Sequence, residues 1–120
     1  MTNYKEGKIY AMISEKTNLC YVGSTTHTLN QRLIKHKTDL RGFLGINKKY
    51  RNYRGSFDIL LQDDFKMYLL QKYPCNCKKE LERQESKWIF KMTNYFEVTN
   101  KNIPSSLGYD DLNDIEKLEF

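Results

Sequence analysis

Apolar positions along the chain follow two periods. Residues 8–13 (Lys-Ile-Tyr-Ala-Met-Ile) and 19–23 (Leu-Cys-Tyr-Val-Gly) are short runs rich in β-formers. The polar residues from Ser14 to Asn18 between them carry turn chemistry, so the two runs predict a β-hairpin. After a polar connection at 24–28 the period changes. Thr28 followed three residues later by Gln31 has the signature of a capping box. Leu29, Leu33, His36 and Leu40 then fall at i, i+4, i+7 and i+11, one stripe of a helix. Residues 41–55 are basic, aromatic and punctuated by Gly42, Gly45 and Gly55, which predicts mostly loop. Residues 56–61 fit a short capped helix or a strand, and 66–73 read as a strand ended by Pro74. Leu81, Glu85, Trp88, Ile89 and Met92 recur at helical spacing, predicting a second helix of about three to four turns. Residues 97–102 read as a connector, and Leu112, Ile115 and Leu118 predict a short amphipathic helix near the end. Together these elements make a small α/β (α+β) domain, a three-stranded antiparallel sheet flanked by helices.

Composition narrows the class. A chain of 120 residues, 39% hydrophobic and 13% aromatic, buries one core and is not a disordered polymer. One compact domain over residues 1–105 is expected, with 106–120 an acidic tail that packs on it as a short helix or, alternatively, shields the basic side chains of residues 28–55. No apolar run reaches the roughly 18 residues a membrane span needs. The polar start, residues 1–7, has no apolar signal core, so the expected setting is intracellular, cytoplasm or nucleus. Cys20, Cys75 and Cys77 are an odd number without a framework, and the lone C-x-C has no second pair to complete a zinc site. They read as reduced thiols.

The net charge of +5 is unevenly spread. Residues 28–55 set Arg32, Lys35, Lys37, Arg41, Lys48, Lys49, Arg51 and Arg54 against Asp39 alone, a local balance of +7. Residues 106–120 set Lys117 against five acids, a balance of −4. A basic stretch interleaved with Phe43, Tyr50 and Tyr53 suits a polyanion, because each neutralised phosphate releases counterions. A solubilising surface has the same composition, so charge alone does not choose.

Two polar residues occupy positions where the helical period wants an apolar one. Glu85 lies four residues after Leu81 and three before Trp88; His36 lies three after Leu33 and four before Leu40. An inward carboxylate is costly unless paired, hydrogen-bonded or metal-bound. Arg32, four residues before His36, shares that residue's helix face. Singly, each has an ordinary structural explanation as a satisfied core histidine or a paired glutamate.

Lys8-Ile9-Tyr10, then Tyr21-Val22-Gly23-Ser24-Thr25, then Arg32 and His36 one turn apart, resemble the GIY-YIG nuclease family. Further on, Glu82-Arg83-Gln84-Glu85-Ser86-Lys87-Trp88-Ile89 is similar to the family's glutamate helix, and Val98-Thr99-Asn100-Lys101 to its closing asparagine segment. The resemblance covers about residues 7–104; each short motif is weak, and five in order are not. It departs at Lys8, where the family has glycine, at Val22 for isoleucine, and in one extra residue between Gly23 and Arg32 relative to some members.

The resemblance implies a metal-dependent DNA endonuclease. Tyr10, Tyr21, Arg32, His36, Glu85 and Asn100 would be its catalytic residues, with Glu85 holding a single Mg²⁺ or Mn²⁺. Arg32 would hold the scissile phosphate, one tyrosine would activate water with His36 relaying the proton, and Asn100 would orient the site. Glu82, one turn before Glu85, is the rival acid; its spacing to the Trp88-Ile89 pair fits less well. Lys35, Arg41, Lys48, Lys49, Arg51 and Arg54 would contact DNA. Mobile-element, repair and restriction contexts all remain open, as does oligomeric state. With no appended targeting or zinc-bearing module, weak intrinsic sequence specificity or a partner protein supplying it is expected. The alternative is a catalytically inactive domain that binds nucleic acid.

Overall fold

Strands β1 (Lys8–Ser14) and β2 (Leu19–Thr25) form the expected hairpin, in unbroken antiparallel register from Lys8↔Thr25 to Ser14↔Leu19. The structure is a computed structural model and describes residues 2–45 and 55–120. The chain reverses through Asn18 at φ 59°, a left-handed conformation that asparagine tolerates better than most residues. β3 (Lys66–Lys72) pairs antiparallel with the other edge of β1, with a register shift between Ile9 and Tyr10. β4 (Glu97–Val98) pairs parallel with Leu19 and Cys20, completing the order β3-β1-β2-β4.

That fourth strand corrects the expected three-stranded antiparallel sheet and the reading of 97–102 as a plain connector. Two residues are too few to show a period. They are held by backbone bonds from Glu97 to Asn18 (2.9 Å) and from Thr99 to Cys20 (2.8 Å). The α+β class stands.

Helix α1 (Leu29–Leu44) begins at the expected capping box, Gln31 N–H donating to Thr28 Oγ1 and Thr28 N–H to Gln31 Oε1, both at 3.1 Å. It runs to Leu44, so the first four residues of the predicted loop are helical. α2 (Ser56–Leu60) settles the 56–61 ambiguity in favour of helix. α3 (Lys78–Met92) is the expected second long helix, and α4 (Leu112–Lys117) follows a 3₁₀ turn at Tyr109–Asp111. Residues 46–54, the rest of the predicted loop, lie outside the described residues. Among the described residues no helix is long and apolar enough to cross a membrane.

Central β1 is buried on both faces, and its alternation assigns each helix to a side. Ile9, Ala11 and Ile13 face α3 and share a cluster with Cys20, Val22, Leu81, Trp88, Ile89 and Met92. Tyr10 and Met12 face the other way, with Ile59, Leu29, Leu33 and Tyr21. Each fully buried large side chain contributes about 1.5–3 kcal/mol. Cys20 belongs to the first cluster, where burial pushes its thiol up to about 12. Gln71 of β3 locks α3 in place, its Oε1 accepting from Trp88 Nε1 (2.8 Å) and Gln84 Nε2 (2.7 Å).

The acidic tail meets α3 rather than α1. Arg83 donates two hydrogen bonds to buried Asp111 (2.8 and 2.9 Å), and Lys87 Nζ lies 3.2 Å from Asp114. Asp111 also accepts from Gly108 N–H, and this bond with the Arg83 guanidinium holds its carboxyl below the usual carboxylate range. A depressed folded-state value stabilises the fold at and above the ordinary carboxylate range and ceases to do so as pH falls through the depressed value. Asp111→Asn is therefore expected to lower Tm at pH 7, with the difference from wild type closing in acid; melts across a pH series check it.

Candidate active site

The site forms around one missing side chain. Tyr10 of β1 is the cross-strand partner of Gly23 of β2, and a Cβ at Gly23 would overlap the Tyr10 ring and hydroxyl. Glycine thus leaves the passage through which the phenol reaches across its neighbouring strand. There the Tyr10 hydroxyl meets two residues of α1, lying 2.6 Å from His36 Nε2 and accepting from Arg32 Nε at 3.1 Å. The four-residue spacing of Arg32 and His36 puts both on the face of α1 that covers this strand.

Tyr10 and His36 are both buried. Burial pushes the Tyr10 phenol well above its usual range, with the Arg32 charge opposing it. His36 Nδ1 lies 3.1 Å from Ser56 Oγ, at the start of α2, and the Tyr21 ring stands edge-on to the imidazole at 5.5 Å between centroids. Tyr21 is only half-buried, so this tyrosine retains access to water. Arg32 is anchored through Nε alone. Its two terminal nitrogens have no hydrogen-bond or ion-pair partner among the described residues, which leaves a fork of donors for an anion.

Glu85 approaches from the opposite face of the sheet. Residues 20, 22 and 24 of β2 alternate toward α3, and Ser24 Oγ donates to Glu85 Oε1 at 2.6 Å. Ser24 is the carboxylate's one hydrogen-bonding residue among the described residues, and no cation there lies within ion-pair distance. Burial raises the Glu85 carboxyl above the ordinary glutamate range; the Ser24 bond opposes the rise, Glu82 adds to it, and the Arg32 charge draws it down. Among the described residues, a half-buried carboxylate without a paired cation is therefore held near a guanidinium with two uncommitted nitrogens.

Asn100 binds backbone. Its Oδ1 accepts from Val22 N–H (3.0 Å) and its Nδ2 donates to Val22 C=O (2.7 Å), replacing a strand partner beside the stretch that carries Tyr21 and Gly23. Its contribution is to hold β2 in shape. Lys8, in place of the family glycine, donates to the carbonyls of His27 (2.8 Å) and Glu6 (2.9 Å), tying down the loop that leads into α1. Of the expected DNA contacts, Lys35 Nζ lies 3.0 Å from buried Asp39, and Arg41 is exposed on the last turn of α1. Lys48, Lys49, Arg51 and Arg54 lie outside the described residues. Ser24 and Ser56 are site residues that the periodicity did not flag. Ser24 sits directly after Tyr21-Val22-Gly23, and Ser56 opens the segment whose helix start was ambiguous.

The sheet thus brings Tyr10, His36, Arg32 and Glu85 together from β1, α1 and α3. The chain belongs to the GIY-YIG family: the model of the GIY-YIG catalytic domain matches residues 6–98. The matched stretch contains Tyr10, Tyr21, Arg32, His36 and Glu85 and ends two residues before Asn100. The family is one of endonucleases, with DNA as substrate. No curated protein and no solved structure gives a significant match.

Proposed function

We propose that this chain is a DNA endonuclease that hydrolyses phosphodiester bonds at the Glu85–Arg32–Tyr10–His36 cluster. The observation that carries this is the nearness of the half-buried Glu85 carboxylate, which has no cation within ion-pair distance among the described residues, to Arg32, whose terminal nitrogens have no partner among them, beside the buried Tyr10–His36 pair. Arg32 grips two oxygens of the scissile phosphate through its terminal nitrogens while Tyr10 holds its Nε. Tyr10 stays a neutral phenol: its raised value makes it a poor base and a firm anchor for Arg32 and His36. Tyr21, the water-accessible tyrosine, orients the attacking water, which gives its proton to bulk water, while the His36 ring stands edge-on to Tyr21 and holds Tyr10 through Nε2.

Among the described residues no three metal-ligating side chains cluster. A lone carboxylate still fits Mg²⁺ or Mn²⁺, which keep several waters and need few protein ligands. Glu85 would hold such an ion, whose chemistry is to neutralise charge on the phosphate and acidify a bound water.

Nicking of supercoiled plasmid by the purified protein tests the reading. Relaxed circles are expected with Mg²⁺ or Mn²⁺, and their formation should stop in EDTA. Equal nicking with and without the chelator contradicts the metal role, and DNA binding without nicking under any ion contradicts the enzyme.

A further inference from the structure

The buried hydroxyl of Ser56 has no place in the reaction described above, yet it stands 3.1 Å from His36 Nδ1. We infer that Ser56 is a positioning residue that holds His36 as its Nδ1–H tautomer, so that Nε2 is the acceptor for the Tyr10 hydroxyl. The two ring nitrogens have different partners at different distances. The 2.6 Å contact from Tyr10 Oη to Nε2 is short, as when a phenolic O–H donates; 3.1 Å from Nδ1 to Ser56 Oγ is the length of an ordinary N–H···O bond. Arg32 adds an independent constraint. Its Nε can only donate, so the Tyr10 oxygen already accepts one bond, and the phenolic hydrogen needs the imidazole as its acceptor. A histidine tautomer is set by the bond that its other nitrogen makes, and here that bond goes to Ser56.

The placement of Ser56 is itself tightly determined. Thr99 Oγ1 donates to the Gly55 carbonyl at 2.6 Å, and a Cβ at Gly55 would overlap the Thr99 carbonyl. The start of α2 is thereby pinned to the segment following β4, one residue from Asn100. The hydroxyl that orients His36 and the amide that shapes β2 are carried on the same clamp.

The tautomer is readable without any cleavage assay, whereas its kinetic consequence rests on the nuclease reading. Nitrogen-15 NMR of histidine-labelled protein separates the two ring nitrogens; the chain's other histidine, exposed His27, is assigned by His27→Gln. Wild type is expected to show a protonated Nδ1 and an unprotonated Nε2 for His36. In Ser56→Ala the His36 shifts should move toward an average of both tautomers, and Ser56→Thr should restore them. Cleavage by Ser56→Ala should fall about tenfold or more in kcat with KM little changed. A wild-type His36 protonated at Nε2, or a Ser56→Ala spectrum identical to wild type, overturns the inference; the first needs no variant to fold. The expected spectra in a protein that never cleaves DNA would uphold the role of Ser56 and sink the nuclease reading.

Discussion

Replacing Glu85 with glutamine is expected to abolish most cleavage while leaving the fold at least as stable at pH 7. The loss should reach roughly a thousandfold in kcat, the scale on which removing charge stabilisation at a reacting phosphate acts. The stability effect has the opposite sign to that of Asp111. Glu85 has a raised folded-state value, so its ionised form costs stability once pH climbs through the ordinary glutamate range, and the full cost is present above the raised value. Glutamine keeps an oxygen for Ser24 Oγ and carries no charge to desolvate. Tm of Glu85→Gln should therefore equal or exceed that of wild type at neutral pH, and the advantage should vanish in acid. Thermal melts and single-turnover cleavage across a pH series read both halves. A variant that loses stability and activity together would make Glu85 a structural residue.

Gly23→Ala is expected to be strongly damaging to both fold and activity. The new Cβ would fall on the Tyr10 ring and hydroxyl, and that ring is buried and tied to His36 and Arg32. Overpacking of this kind costs about 1–3 kcal/mol, and the ring can yield only by breaking those two contacts. Cleavage should fall at least a hundredfold even where the variant is folded, because both α1 residues lose their anchor. Denaturant melts and nicking rates check it, and a fully active, fully stable Gly23→Ala would mean that Tyr10 does not cross its neighbouring strand.

Much of this architecture was legible in the sequence, for reasons that separate the successes from the misses. The hairpin and both long helices announce themselves because each repeats its period several times, and Thr28 with Gln31 marks one helix start. His36 and Glu85 stood out because a polar residue interrupting an apolar stripe is expensive; His36 is indeed buried and Glu85 half-buried. β4 was hidden because two residues carry no period, and its partners lie about 78 positions away in sequence. Ser56 and Ser24 were hidden because a serine is equally at home on a surface, so its burial against an imidazole or a carboxylate leaves no local trace. Charge counting weighed Asp39 against residues 28–55 as a whole, whereas the fold buries it and lays Lys35 against it in particular. Long-range pairing, rather than propensity, decides each of these.

In the proposed reaction a single carboxylate of α3, that of Glu85, serves the chemistry. Glu82 and Glu85 lie one turn apart on that helix, and only Glu85 bonds to Ser24 beside the Tyr10–His36–Arg32 cluster. Initial rates of supercoiled-plasmid nicking in Mg²⁺, for wild type, Glu82→Gln and Glu85→Gln side by side, test this most directly. The expected result is a Glu82→Gln rate within a few-fold of wild type and a Glu85→Gln rate indistinguishable from the EDTA control. Glu85→Gln nicking at the wild-type rate, or Glu82→Gln proving the inactive variant, would contradict the account.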